Sequence, residues 1–136
     1  MSDLSITAAS VKPTASTRIQ HGRAGATVTA GQAAYREAAS GKLKLADNDS
    51  ATAEVRAIAG ITLHGASDDQ PLAIAIGGDL TFPSVLTAGV EYYLSGTPGG
   101  ICPRADVTTG DDPIRIGIAT SATNLRLDFA DPNVTL

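Results

Sequence analysis

The sequence is poor in aromatic residues and in cysteine. It has no tryptophan, three tyrosines and two phenylalanines among 136 residues, which excludes a large aromatic core. Cys102 is the single cysteine, so an internal disulfide and a cysteine-rich zinc site are also excluded. The fold is therefore expected to form without a covalent cross-link.

Long apolar runs and excess positive charge are missing too. No stretch approaches the ~18 apolar residues of a membrane span, and the first residues lack the basic and apolar regions of a secretory signal. We therefore expect synthesis in the cytoplasm and no membrane association. The net charge of −4 argues against a nucleic-acid binder, because neutralising phosphates requires a basic face.

Small residues take the place of large apolar ones. Ala, Thr, Gly and Ser make up 62 of the 136 residues, whereas Leu, Ile, Val and Phe make up 30. A chain of this length forms one domain. A core built from so few large side chains leaves little margin over chain entropy, so we expect a folded domain that leans on a partner for stability.

Charge is divided unevenly along the chain. Residues 1–25 carry Lys12, Arg18 and Arg23 against a single acid, a net charge of +2, whereas residues 26–136 carry −6. Most of the first segment lacks periodicity, so we interpret residues 1–25 as an extended N-terminal arm and residues 26–136 as a β-rich body. An unstructured terminus and an arm that docks on an acidic neighbour are both compatible with this pattern.

From residue 26 onward, short segments of strand character alternate with turn residues. Residues 42–45 alternate with period two. Residues 57–63 form a continuous apolar run typical of a strand buried on both faces, and residues 71–76 are a second apolar strand. A separate short strand is predicted over residues 79–82. About nine strands with regularly spaced turns predict an all-β fold, a small β-sandwich or barrel without long helices.

Two stretches of the body resemble each other. The matching residues, at an offset of 58, are Val28-Thr29-Ala30-Gly31, Tyr35 and Gly41-Lys42-Leu43 against Leu86-Thr87-Ala88-Gly89, Tyr93 and Gly99-Gly100-Ile101. Ala59-Gly60-Ile61 matches Ile116-Gly117-Ile118 at an offset of 57. Chance similarity between sequences rich in Ala, Gly and Thr is one explanation. A duplication is the other, and it predicts two similar β units that share one core.

No residue pattern indicates a catalytic, cofactor or metal site. Asp68-Asp69 and Asp111-Asp112 are adjacent carboxylates whose side chains point apart in an extended chain, so both pairs are interpreted as solvated turns. The nucleophile-elbow and phosphate-loop patterns are absent. Tyr92 and Tyr93 are the remaining candidates: they point to opposite faces of a predicted strand, so one is expected in the core and the other at a possible subunit seam.

The stretch from about Val28 to Leu127 resembles the small head-decoration, or capsid cement, proteins of tailed bacteriophages. The motifs that carry the resemblance, in order, are Thr29-Ala30-Gly31-Gln32, Gly60-Ile61-Thr62-Leu63-His64-Gly65-Ala66, Gln70-Pro71-Leu72-Ala73-Ile74, Leu86-Thr87-Ala88-Gly89, Tyr92-Tyr93-Leu94-Ser95, Gly99-Gly100-Ile101-Cys102-Pro103 and Gly117-Ile118-Ala119-Thr120-Ser121-Ala122-Thr123-Asn124-Leu125. The resemblance covers about three quarters of the chain, and residues 1–25 lie outside it.

This resemblance implies a β-rich virion protein, often a homotrimer, on the outer surface of the head. Such a protein binds between major capsid protein subunits, stabilises the assembled shell and brings no catalytic residues. Lys12, Arg18 and Arg23 would then lie on an arm that contacts the capsid or a neighbouring copy. The alternatives are a tail, tail-tip or head-fibre component of the virion, a free ligand-binding β module, and an enzyme.

Overall fold

The chain forms a single curled antiparallel sheet. The structure is a computed structural model, and it describes residues 4, 6, 7, 10–48 and 52–130. The strands are Lys12–Pro13 (β1), Arg18–Arg23 (β2), Ala33–Arg36 (β3), Leu43–Leu45 (β4), Gly60–Thr62 (β5), Pro71–Thr81 (β6), Glu91–Leu94 (β7), Ile101–Pro103 (β8), Arg115–Ala119 (β9) and Asn124–Ala130 (β10). A four-residue helix, Ala53–Arg56 (α1), and a 3₁₀ turn at Arg104–Asp106 interrupt them. The all-β prediction is confirmed.

The strand order is symmetric about the middle of the sheet. It runs β4-β3-β5-β6-β10-β9-β7-β8, and β1 and β2 also pair with β6. The sheet curls into a half-barrel. The sequence predicted two strands where β6 lies, but Gly77 and Gly78 continue one strand, with an irregular register opposite Arg18 and Ile19.

The pairing register repeats with the sequence. Ala34 pairs with Leu45 in the first half, and Tyr92 pairs with Pro103 in the second, each 58 positions later. We call residues 18–77 unit 1 and residues 78–130 unit 2. Each unit contains five strands in matching order. Strand β2 in unit 1 takes the place of the second part of β6 in unit 2, and the first part of β6 takes the place of β10.

The turns repeat as well. Gly31 and Gly89, the last residues of the two Thr-Ala-Gly turns, both adopt a φ of 85°. This left-handed conformation is accessible to glycine without the steric cost of a Cβ atom. Gly60 and Gly117 match in a different way, because a Cβ on either would contact a carbonyl oxygen of the adjacent strand. Close strand approach therefore explains part of the excess of small residues.

The two units share the main hydrophobic cluster, and unit 1 has a second, smaller one. The cluster of unit 1 is small: Ala24, Val28, Ala34, Leu43, Ala66, Leu72 and Ile74. On the side of unit 2, the main cluster includes Phe82, Leu86, Tyr92 and Ile101, which match Ala24, Val28, Ala34 and Leu43 of the small cluster. The opposite face of unit 1, including Ala33 and Ile61, joins this main cluster. Strands β3 and β5 are thus buried on both faces.

The N-terminal segment lies along β6. Lys12 and Pro13 pair with Thr81 and Leu80, and β2 pairs with the first part of β6 over its full length. Between β1 and β2, the Oγ1 atoms of Thr14 and Thr17 both donate hydrogen bonds to the carbonyl oxygen of Asp79. The extended segment over residues 12–23 is therefore part of the sheet of the body.

A buried asparagine joins the two units. Asn48 follows β4, is 0% exposed, and donates a hydrogen bond of 2.8 Å from Nδ2 to the carbonyl oxygen of Leu94 in β7. Its backbone N–H donates to the carbonyl oxygen of Ser95, and its own carbonyl accepts from the N–H of Asp112. One residue therefore fixes the segment after β4 in unit 1 to two separate segments of unit 2.

Candidate binding surfaces

The outer face of unit 2 is the exposed counterpart of a buried face in unit 1. In unit 1, this face carries Ala33 and Ile61, which are both 0% exposed. The matching residues of unit 2 are Glu91, which is half-buried, and Ile118, which is 37% exposed. Only two large apolar residues among the described residues are exposed, and Ile118 is one of them. This face is the first candidate surface.

The two tyrosines of β7 have separate roles. Tyr92 is 3% exposed, lies in the main hydrophobic cluster and accepts a hydrogen bond of 2.9 Å at its hydroxyl from the N–H of Thr87. It serves the core, so a subunit seam would reach only Tyr93. Tyr93 is half-buried on the outer face of unit 2. The structure thus assigns which of the two points outward, a choice that the sequence left open.

Charged side chains surround Tyr93. Its hydroxyl donates a hydrogen bond of 2.9 Å to Oε2 of Glu91, and the guanidinium of Arg104 lies 5.6 Å from the centre of its ring. Arg115, its partner across the ladder, forms an ion pair of 2.7 Å with Asp128. Tyrosine and arginine are enriched at protein–protein contacts, because both combine a large apolar area with polar groups.

The pKa of Tyr93 is raised, first by partial burial and then by the hydrogen bond to Glu91. We expect Glu91→Gln to bring the pKa back towards the ordinary value of 10.0, since the tyrosinate would no longer face a carboxylate. Because the folded state favours the protonated phenol, this group contributes stability below pH 10 that is lost as the pH rises. Titration followed by tyrosinate absorbance, with Tyr93→Phe to identify the band, measures the shift. An unchanged pKa in Glu91→Gln would contradict the assignment.

The predicted arm residues lie apart from this face and from one another. Lys12 is exposed on β1, and Arg18 and Arg23 lie at the two ends of β2. Arg23 forms an exposed ion pair with Asp69, with 3.6 Å between Nη1 and Oδ1. The guanidinium of Arg18 lies over Gly77, at the place where a Cβ would be.

Sequence reasoning missed a further basic residue beside β2. Arg36 ends β3, donates to the carbonyl oxygen of Gly41 and lies 3.4 Å from Oε1 of Gln20. Gly22 leaves room for this guanidinium. The strand pattern of residues 33–36 could not reveal the contact, because it depends on the curl that brings β3 and β4 back towards β2. The exposed strand β2, with Arg18 and Arg36, is the second candidate surface.

One of the two acidic pairs differs from the prediction of solvated turns. Asp68 and Asp69 are exposed. Asp111 and Asp112 are buried, and Oδ2 of Asp112 lies 2.7 Å from Nε of Arg56. The pair therefore supports the fold, with Asp112 anchoring the last residue of α1.

In the described part of the chain, we find no metal-binding cluster of acidic residues and no charged side chain in the two clefts. No group of three His, Cys, Asp or Glu side chains there could hold a metal ion. One cleft of about 230 Å³ lies between Leu4, Ile6 and the turns at residues 29–32 and 97–101. Another, of about 240 Å³, is lined by Ile58, Ile114 and Phe129 with two alanines. Both are lined without a charged side chain.

The fold is an all-β half-barrel of two similar units, with the outer face of unit 2 and the strand β2 exposed. No protein-family model matches the chain, and no curated protein matches it significantly. Across residues 4, 6, 7, 10–48 and 52–130, no helix has the length and apolar character to cross a membrane.

Proposed function

We propose that this chain is a structural protein of a tailed-phage virion that decorates the outer surface of the head. In this proposal it binds between major capsid protein subunits and stabilises the assembled shell. A protein that binds only the assembled lattice stabilises that state by linkage. Many identical sites on one shell multiply the effect of a modest affinity.

The observation that carries the proposal is the difference in burial between the matching faces of the two units. Unit 1 buries this face inside the molecule, whereas unit 2 presents Tyr93, Arg104 and Ile118 on it. Such a surface suits a contact with another copy or with a capsid subunit. The motifs that resemble those of decoration proteins run through both units and support the same proposal. In the proposal, copies of the chain form a homotrimer through this face, and no catalytic step is assigned.

Reconstitution on heads tests the proposal. Purified protein is added to expanded heads that lack it, and occupancy is measured by gel densitometry and by imaging. We expect saturable binding to heads and a higher temperature of head disruption. Ile118→Asp places a charge on the outer face of unit 2 and is expected to weaken binding about tenfold.

The control is Ala39→Asp, which adds the same charge at an exposed turn of unit 1. This variant is expected to bind like the original chain. Failure to bind heads at any concentration contradicts the proposal. Imaging that locates the labelled protein on the tail or at a fibre base would instead support the alternative virion component.

A further inference from the structure

The strand β2 has one edge without a partner strand. All of β2 except the half-buried Gly22 is exposed, and its ladder partner is β6. Among the described residues, the only pairing on its other side is an isolated β-bridge between Ala24 and Leu43, just beyond the end of the strand. Ile19 on this strand is 44% exposed and is the second of the two exposed large apolar residues in that part of the chain. An open edge of this kind can pair with a further extended chain.

The fold itself shows that the matching edge accepts a strand. In unit 2, the second part of β6 corresponds to β2 and pairs on both sides. Leu80 has Leu125 on one side and Pro13 of β1 on the other. Unit 1 has no counterpart of β1 among the described residues. The duplication therefore marks the edge of β2 as the place where one strand is missing.

The charges beside this edge identify what would pair there. Six basic residues of the described chain form ion pairs with carboxylates: Arg23, Lys42, Lys44, Arg56, Arg115 and Arg126. The other four, Lys12, Arg18, Arg36 and Arg104, form no ion pair with a described carboxylate, and of these Arg18 and Arg36 lie beside β2. Two guanidinium groups without a carboxylate, beside an open edge of a protein with a net charge of −4, favour an acidic occupant.

We propose that the edge of β2 binds an acidic, extended segment of a partner protein by strand addition. This deepens the proposed function and rests on it, since the partner would be the protein to which this chain attaches. Backbone hydrogen bonds along β2 supply the pairing, and side chains on each face supply the selectivity.

The side-chain pattern of the occupant follows from the alternation along β2. Arg18 and Gln20 lie on one face, which Arg36 also reaches. Ile19 lies on the other face. Residues directly across a ladder share a face, so the added strand places acidic side chains against Arg18 and Arg36 and an aliphatic side chain against Ile19. An alternating sequence of Glu or Asp with Val or Ile has this pattern.

Direct binding of a probe peptide to the full chain tests the inference. The probe is a fluorescent peptide of alternating Glu and Val, about the length of β2, and its anisotropy is measured as protein is added. We expect saturable binding that weakens by about tenfold in the double variant Arg18→Ala with Arg36→Ala. Arg18→Lys with Arg36→Lys retains charge and is expected to recover most of the affinity.

Three controls separate strand pairing from general attraction. A Glu-Pro peptide has the same charge but lacks half of the N–H donors, and a Lys-Val peptide has the opposite charge, so neither is expected to bind. Lys42→Ala removes a cation that already pairs with Asp68 and is expected to bind the Glu-Val peptide like the original chain. Binding of the Glu-Pro peptide, or equal affinity in the double alanine variant, overturns the inference.

The arginines could instead act only to keep the edge from pairing with other copies. In that case the double alanine variant would self-associate, and the original chain would not bind the Glu-Val peptide. That result overturns strand addition. Head binding, measured as above, is a separate readout: if it persists while the peptide fails to bind, the inference falls and the proposed function stands.

Discussion

Gly78→Ala is expected to lower the free energy of unfolding by about 3 kcal/mol and to release residues 12–17 from β6. Gly78 adopts a φ of 79°, which is unfavourable for alanine. The backbone of Ser16 and Thr17 lies over its α-carbon, at the position that a Cβ would occupy. The chain cannot relieve this overlap by a side-chain rotation, because backbone atoms are involved. It must move the N-terminal segment away.

A matched variant separates the two costs. Gly89 has a φ of 85°, close to that of Gly78, but nothing lies within 4 Å of its Cβ position. Gly89→Ala is therefore expected to lose only the conformational term, about 1 kcal/mol. Chemical denaturation measures both losses, and hydrogen exchange at residues 12–23 reports the release of the segment. Equal losses in the two variants, with unchanged exchange, would mean that the covering contact contributes nothing.

Asn48→Asp is expected to destabilise the protein by about 4 kcal/mol at neutral pH. The change conserves the shape of the side chain but replaces the Nδ2 donor with an oxygen that faces the carbonyl of Leu94. The site is fully buried, and the Oδ1 atom of Asn48 has no hydrogen-bond partner to share with a new charge. A carboxylate there is both desolvated and repelled, and its pKa is raised as a result.

The sign of the pH dependence provides the sharper test. Because burial raises the folded-state pKa of the new carboxyl above its unfolded value, its penalty shrinks as the pH falls and the group becomes protonated. A protonated carboxyl can again donate to the carbonyl oxygen of Leu94. The stability difference from the original chain should therefore narrow towards about pH 4. Constant destabilisation across this range would contradict the buried-donor role.

Asn124→Asp is the control for the same chemical change. Nδ2 of Asn124 donates to Oγ1 of Thr120 in an exposed hydrogen bond. We expect a loss below about 1 kcal/mol there, since water can solvate the new carboxylate. Asn48→Ala is expected to lose about 2 kcal/mol, because the carbonyl of Leu94 then remains buried without its donor. The order of the three variants tests whether Asn48 joins the two units by its donor group.

The sequence was sufficient for the fold class, and it showed the similarity that the pairing register later repeated. Period-two alternation and regularly spaced turns depend on local backbone preferences, so the all-β prediction needed no tertiary information. The Thr-Ala-Gly turns were visible because Gly31 and Gly89 meet the same local demand for a positive φ. Residues 57–63 indicated a strand buried on both faces for the same reason: their apolar run does not alternate.

Other features depended on contacts between residues that are far apart in the sequence. Residues 71–76 and 79–82 looked like separate strands, because a Gly-Gly pair commonly ends a strand. Gly77 and Gly78 instead accommodate Arg18 and the backbone of Ser16, which lie more than fifty residues away in the sequence. The sequence predicted a solvated turn at Asp111 and Asp112. In the fold both residues are buried, and Asp112 forms an ion pair with Arg56, which is distant in the sequence. Local patterns contain no information about such contacts.

The sequence by itself determined a small β-rich domain with a thin core, few aromatic residues and a repeated unit. Only the tertiary structure decided that unit 1 has a second cluster besides the shared one, that Tyr92 is internal while Tyr93 is not, and that β2 has an open edge beside Arg18 and Arg36. The physical reason is that strand propensity is set by neighbours along the chain. Burial, by contrast, is set by whichever distant segment covers a face. In this protein one face of unit 1 is buried in the main cluster, whereas the matching face of unit 2 is exposed.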